Sequence, residues 1–284
     1  MSDSDFSRAS DAPPRVTPRR PKFGFGAVPR HWFGGSAAMT HVVNGVCLLF
    51  PAGERFFVRS VRHYEGQIRD PRLAADVRAF YKQEGAHAGA HERFFARLEA
   101  QGFDVAKMLE TYERLAFEAL ERRFPPSVRL SVTVALEHFT AIMAENALKD
   151  GILDLAHPEM RRLLEWHAAE EIEHKAVAFD VLAEVNPSYA LRVFGLLLAT
   201  ASLGAFWVWA TRRLLAQDGV DRAAVKRDLA RMRKERPIVR RVFLRGIREY
   251  LRPGFHPNDT ENHDLAAKLI AELEREGRFA REAA

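Results

Sequence analysis

The stretch WHAAEEIEH, Trp166 to His174, and the stretch QEGAH, Gln83 to His87, each contain Glu-x-x-His. Residues three apart on a helix differ by about 300° of rotation, so Glu84 and His87, or Glu171 and His174, project from one side and can grip one ion. Each motif is preceded by a helix carrying a single candidate Glu. Glu54, in Glu54-Arg55-Phe56, lies thirty residues before Glu84, and Glu137, in Glu137-His138-Phe139, lies thirty-four before Glu171. The chain therefore holds two copies of one unit, a one-Glu helix followed by a Glu-x-x-His helix. Two such units face to face present four carboxylates and two imidazoles to a bundle axis, the ligand set of di-iron and di-manganese carboxylate bundles.

The surrounding sequence predicts helix almost throughout after Pro29, because apolar residues recur at three and four and Pro and Gly are widely spaced. Helices are expected from Pro51 to about Ile68, from Asp70-Pro71 to about Gln101, from Asp104 to Phe124, from Pro126 to Asp150, and from Pro158 to Asn186. The fold class expected is all-α, a ferritin-like four-helix bundle with a helical crossover and an additional C-terminal helical region. Residues 1–30 read as a disordered, uncleaved N-terminal arm. Residues 31–187 read as the bundle, and 188–284 as an apolar helix followed by basic helices.

Four ionised carboxylates crowded in an interior repel one another, and each costs several kcal/mol to desolvate without a partner. Two divalent cations, iron or manganese by this donor set, supply the opposing charge. A lone Glu-x-x-His is more often a solvated polar face; the duplication with its paired Glu helices is what carries the metal reading. His91 and His167 point inward near Glu84 and Glu171 and are candidate further ligands, or donors that orient the carboxylates. Glu170, beside Glu171, better suits the rim and is the candidate general base. His138, Glu145 and Tyr81 are weaker candidates.

At these residues the sequence resembles a bacterial family labelled predicted metal-dependent hydrolase and grouped with ferritin-like proteins. The matching stretches are FPAGERFFVRSVRHY, QEGAHAGAHE, ALEHFTA and WHAAEEIEHKAVAFDV, together spanning about Trp32 to Val185, with a looser likeness in LRPGFHP. The resemblance implies the fold, metal binding and, residue by residue, the ligands Glu54, Glu84, His87, Glu137, Glu171 and His174.

Composition sets the outer limits. The chain has 284 residues, 47% hydrophobic and 29% charged, as in an ordinary globular protein. With Cys47 alone, no internal disulfide or cysteine-based metal site exists, and Cys47 reads as a small buried hydrophobe. The net charge is +5, but Arg212 to Arg252 alone carries fourteen Lys or Arg against five Asp or Glu. Just before it, Val193 to Thr211 contains no formal charge, a length near that of a membrane span. This predicts a cytoplasmic protein associated with an anionic membrane surface through residues 193–211. A buried helix or a homodimer interface is the competing reading. No nucleic-acid motif accompanies the basic stretch.

Three functions follow. The first is dioxygen-dependent oxidation of a small apolar or lipid-like substrate at a water-excluding site. The alternative is metal-dependent hydrolysis, as the resembled family's label says. The third is a non-catalytic metal-binding bundle. No separate nucleophile motif is present.

Overall fold

The computed structural model describes residues 14–235, 237, 239–276 and 279–280. Its helices are α1 (Ala37–Cys47), α2 (Phe50–Arg62), α3 (Pro71–Ala100), α4 (Val105–Tyr112), α5 (Ala119–Arg123), α6 (Pro126–Lys149), α7 (Pro158–His174), α8 (Val177–Val185), α9 (Tyr189–Asp218), α10 (Arg222–Glu235), α11 (Arg245–Tyr250) and α12 (His263–Arg275). The all-α expectation holds; the β-structure among the described residues is a two-residue pairing of Arg20–Pro21 with Phe279–Ala280 and an isolated bridge.

Local chemistry starts and stops these helices where the punctuation predicts. Asp70 accepts a hydrogen bond from the Arg72 amide at 2.8 Å ahead of Pro71, and Pro126 and Pro158 stand in the first turns of α6 and α7. Beyond α6, Gly151 takes φ +60°, a left-handed stop that a side chain would strain.

Three expected helices differ. The Pro51 helix ends at Arg62, and a short 3-10 turn covers Glu65–Gln67. The run after Asp104 is interrupted by a π-type turn at Glu113–Glu118. The Pro158 helix breaks after His174, where Lys175 turns inward and donates to Asn262 Oδ1 and the Thr260 carbonyl, both at 2.6 Å. That tether joins the end of the motif helix to the segment before α12.

The four site-bearing helices pack as two pairs, α2 on α3 and α6 on α7, with α2 also on α6 and α3 on α7. Phe56, Phe80, Phe139 and Leu130, all fully buried, fill one core among them. A second core gathers Phe33, Phe94, Leu98, Met160 and Trp166 around the buried Cys47. Helix α9 lies along α6 and α1. Gly195 is what lets it approach, since a Cβ there would sit 2.1 Å from Ser131 Oγ. Its outer side carries Leu197 at 63% and Val208 at 52% exposure.

The expected arm divides in two. Residues 1–13 lie outside the described residues. Residues 14–30 are not a disordered arm: Val28 is fully buried and Arg19 reaches into the bundle. The C-terminal region is also part of the packed body, for Gly246 on α11 sits against Phe139 and Ile142, and α12 packs on α7.

Candidate metal centre

Glu54 comes from α2, Glu84, His87 and His91 from α3, Glu137 from α6, and His167, Glu170, Glu171 and His174 from α7. All nine are buried, and the most exposed, Glu171, keeps 4%. The structure brings together the six candidate ligands read from the motifs, and five of them, joined by His167, form two groups. Glu54, His87 and His167 offer one donor atom each within 4.8 Å of one another, and so do Glu84, Glu171 and His174. Glu171 links them: its Oε1 is 3.7 Å from His87 Nδ1 and its Oε2 3.7 Å from His174 Nε2. Glu137 reaches the second group, its Oε2 3.3 Å from His174 Nε2.

The imidazoles are turned by partners behind them. Gln83 donates its amide to Glu173 Oε2 at 2.6 Å and to the Thr17 carbonyl at 3.1 Å, so its Oε1 must accept from His174 Nδ1, at 2.9 Å. His174 Nε2 is thereby left facing three carboxylate oxygens at 3.2–3.7 Å without hydrogen-bonding any of them. His87 Nε2 lies 3.0 Å from Glu170 Oε2; when that carboxylate is ionised it accepts the proton, and Nδ1 is bare. Holding a ligand imidazole by its far nitrogen in this way fixes its tautomer and aim.

The electrostatics ask for positive charge at the centre. Burial, reinforced by neighbouring carboxylates, pushes Glu54 and Glu84 well above the usual carboxylate range, and burial raises Glu137 to about 7. Against the cost of its own burial, Glu171 is held well below that range by His174 and His167, while Glu171 and Glu137 hold His174 well above an ordinary imidazole. Both oxygens of Glu54, Glu84 and Glu137, with Glu171 Oε2, His87 Nδ1 and His174 Nε2, are buried without a hydrogen-bond partner. Orphaned buried atoms normally cost about 1–3 kcal/mol each. Nine of them converging from four helices, all oxygen or imidazole nitrogen, fit a divalent cation site.

Of the remaining candidates only His167 joins a donor group. His167 Nε2 is 2.9 Å from Glu171 Oε1 and 3.5 Å from Glu54 Oε1, close enough to add a ligand nitrogen. His91 stands behind it, 2.8 Å from His167 Nδ1, and belongs to neither donor group. Glu170 is not at the rim. It is fully buried, bonded to His87 and paired with Arg19 Nη1 at 3.2 Å, and burial lifts it to about 8 with Arg19 opposing. His138 Nε2 donates to the Gly246 carbonyl, within the core, and Glu145 pairs with Lys149 and Arg245. Tyr81 lies under Arg62, away from both donor groups.

Gln83 and Arg19 were not singled out from the sequence. Gln83 has a signal, its place next to Glu84; Arg19 has none, being 151 residues from the carboxylate it pairs with. Beside the centre lies a cavity of about 180 Å³ with His167 and Glu171 in its wall. Phe50 and Phe80 pack their rings against His167 and His174, at 4.5 and 5.0 Å.

No curated protein and no solved structure is significantly similar to this chain. A family model described as predicted metal-dependent hydrolase matches residues 17–261, which takes in every residue of both donor groups. The chain belongs to that predicted metal-dependent hydrolase family.

Proposed function

We propose that this protein is a hydrolase working with two divalent ions, iron or manganese, held by Glu54, Glu84, His87, Glu137, Glu171 and His174, with His167 in reach as a seventh ligand. The two helix pairs and the α4–α5 crossover support reading the bundle as ferritin-like. The observation that carries the proposal is the convergence of orphaned carboxylate and imidazole atoms on two adjoining points bridged by Glu171. The family description favours hydrolysis over the oxidation that the water-excluding ligand set first suggested.

Bound ions would supply Lewis-acid polarisation of a substrate oxygen and acidification of water. The chain's own residues do the rest. Gln83 and Glu170 aim the two motif imidazoles, and Arg19 holds Glu170 in place. Phe50 and Phe80 exclude bulk water. In the reaction the carbonyl carbon gains the oxygen of water, its bond to the leaving group breaks, and a proton passes from water to the leaving group. His91 meets His167 at its Nδ1 and so turns His167 Nε2 toward Glu171 and the cavity wall.

The test is release of p-nitrophenol from its carboxylic esters by the chain loaded with manganese or iron. Turnover that needs metal and vanishes in Glu84→Ala/Glu171→Ala is expected. Dioxygen consumption by the reduced iron form without any ester cleavage would return the protein to the oxidative reading.

The outer face of α9, with Leu197, Val208 and Phe194 exposed, favours contact with an anionic membrane alongside the basic α10. Among the described residues one helix, Tyr189–Asp218, is long and apolar enough to cross a membrane, and 28% of its apolar window is buried. Flotation with anionic liposomes at moderate salt is expected to carry the chain upward; full recovery in the soluble fraction counts against it.

A further inference from the structure

The cavity beside the metal centre has a shape and a lining that the reaction class alone does not require. It follows one face of α6 from Thr140 to Asp150, ten residues, or about 15 Å at helical rise. Its inner end meets Glu171 and His167, both nearly closed to solvent. Its outer end meets the ion pair of Arg241 with Asp150, whose side chains are 41% and 28% exposed. Between the ends the walls are aliphatic or aromatic, with Val43 and Val46 from α1, Ala147 from α6, Leu164 from α7 and Trp207 from α9.

Two polar residues on that stretch of wall spend a donor on the backbone of α6. Thr140 donates its hydroxyl to the Glu137 carbonyl at 3.0 Å, and Asn146 donates its amide to the Ile142 carbonyl at 2.8 Å. A sugar, nucleotide or peptide threaded here would leave its own polar groups unpaired. A methylene chain has no polar group to leave unpaired and gains burial at every carbon.

We propose that this cavity binds the unbranched alkyl or acyl chain of a carboxylic ester, lying along α6 with the ester group at Glu171 and His167. The identity of the reacting group rests on the hydrolytic reading above; the chain site itself rests on the cavity. The Arg241–Asp150 pair marks the mouth, where the far end of a longer chain emerges.

Calorimetric titration of the full-length protein with hexan-1-ol and octan-1-ol tests this without turnover. Each added methylene is expected to raise affinity about fourfold, hence about fifteenfold between the two alcohols. Val43→Trp and Ala147→Trp fill the channel from opposite walls, and each is expected to weaken octan-1-ol at least tenfold while metal content stays unchanged. Equal affinity for the two alcohols, or octan-1-ol binding untouched in both variants, overturns the proposal. Should neither variant fold, a photoreactive diazirine alkanol on the wild-type chain decides: labels within 140–150 or 164–171 support the site, and labels confined to the outer face of α9 overturn it. Chain binding with no cleavage of p-nitrophenyl octanoate by the metal-loaded protein would leave this site standing and remove the hydrolase reading. Cleavage of p-nitrophenyl acetate without octan-1-ol binding would do the reverse.

Discussion

Among the described residues, two clusters gather histidines and carboxylates closely enough to hold an ion, and they differ in what their atoms already do. At the bundle centre, oxygens of Glu54, Glu84 and Glu137 and the facing nitrogens of His87 and His174 have no hydrogen-bond partner. At the far end of α9, His31, His41 and Asp218 are equally close, yet none of their side-chain atoms is buried without a partner. Trp32 Nε1 donates to Asn44 Oδ1 at 2.9 Å, which turns the Asn44 amide toward His41 Nδ1 at 3.4 Å, so His41 donates from Nε2 to Asp218 at 2.9 Å. His31 adds a bond at 2.7 Å, and the Arg30 guanidinium pairs with the other oxygen. The second cluster is a clamp that ties the end of α9 to α1 and the N-terminal segment. Proximity of ligand-type residues is common to both; unmet charge is what singles out the first.

The largest effect expected from breaking this contrast is on metal content. Glu84→Ala/Glu171→Ala should bring bound iron or manganese, measured by mass spectrometry of the purified protein, close to zero. Asp218→Ala should leave it at the wild-type level, and a fall there would make the clamp a metal site after all.

Removing metal with a chelator comes next. At about a thousandfold excess over the dissociation constant, bound ions stabilise the fold by about 4 kcal/mol. Their loss should lower the melting temperature by on the order of 10 °C in scanning calorimetry. An unchanged melting temperature would mean that the carboxylates are neutralised by protons alone.

A smaller effect is expected at the residues that aim the ligands. Glu170→Gln removes the carboxyl oxygen that holds His87 Nε2 and should weaken metal binding about 10-fold to 100-fold without emptying the site. If affinity is unaltered, Glu170 does not orient His87.

The mildest prediction concerns pH and the clamp. Against the cost of burial, hydrogen bonds from His31, His41 and Arg30 hold Asp218 down at about 2. A carboxyl depressed in the folded state adds stability that is complete above its unfolded value and fades as pH falls through the folded one. The melting-temperature gap between wild type and Asp218→Asn should therefore be full above about pH 4 and close toward pH 2. A gap independent of pH in that range would show that the charge of Asp218 does not matter to the clamp.

The contrast also shows which parts of the centre were readable in advance. The six candidate donors were legible as a set because a ligand pair on one helix must repeat at three residues, and the repeat occurs twice at similar distance from a one-Glu helix. The clamp was not, since His31, His41 and Asp218 share no periodicity and are joined across 177 to 187 residues. Glu170 is not the rim residue the sequence suggests for a related cause: its neighbour Glu171 faces the donor cluster, but the helix turns Glu170 by about 100°, into the gap that Arg19 closes from a segment expected to be disordered.

Sequence by itself determined the helical class, the helix ends marked by Asp70-Pro71, Pro126, Gly151 and Pro158, and the donor set, because periodicity and backbone stereochemistry act within a few residues. Only the tertiary structure decided that α9 packs against α6 and α1 on one side while its other face stays open, that residues 14–30 complete the bundle, and that Gln83 and Glu170 aim the imidazoles. Those outcomes depend on which surfaces and hydrogen-bonding groups meet across the folded chain, and no local pattern records the identity of a partner that far away.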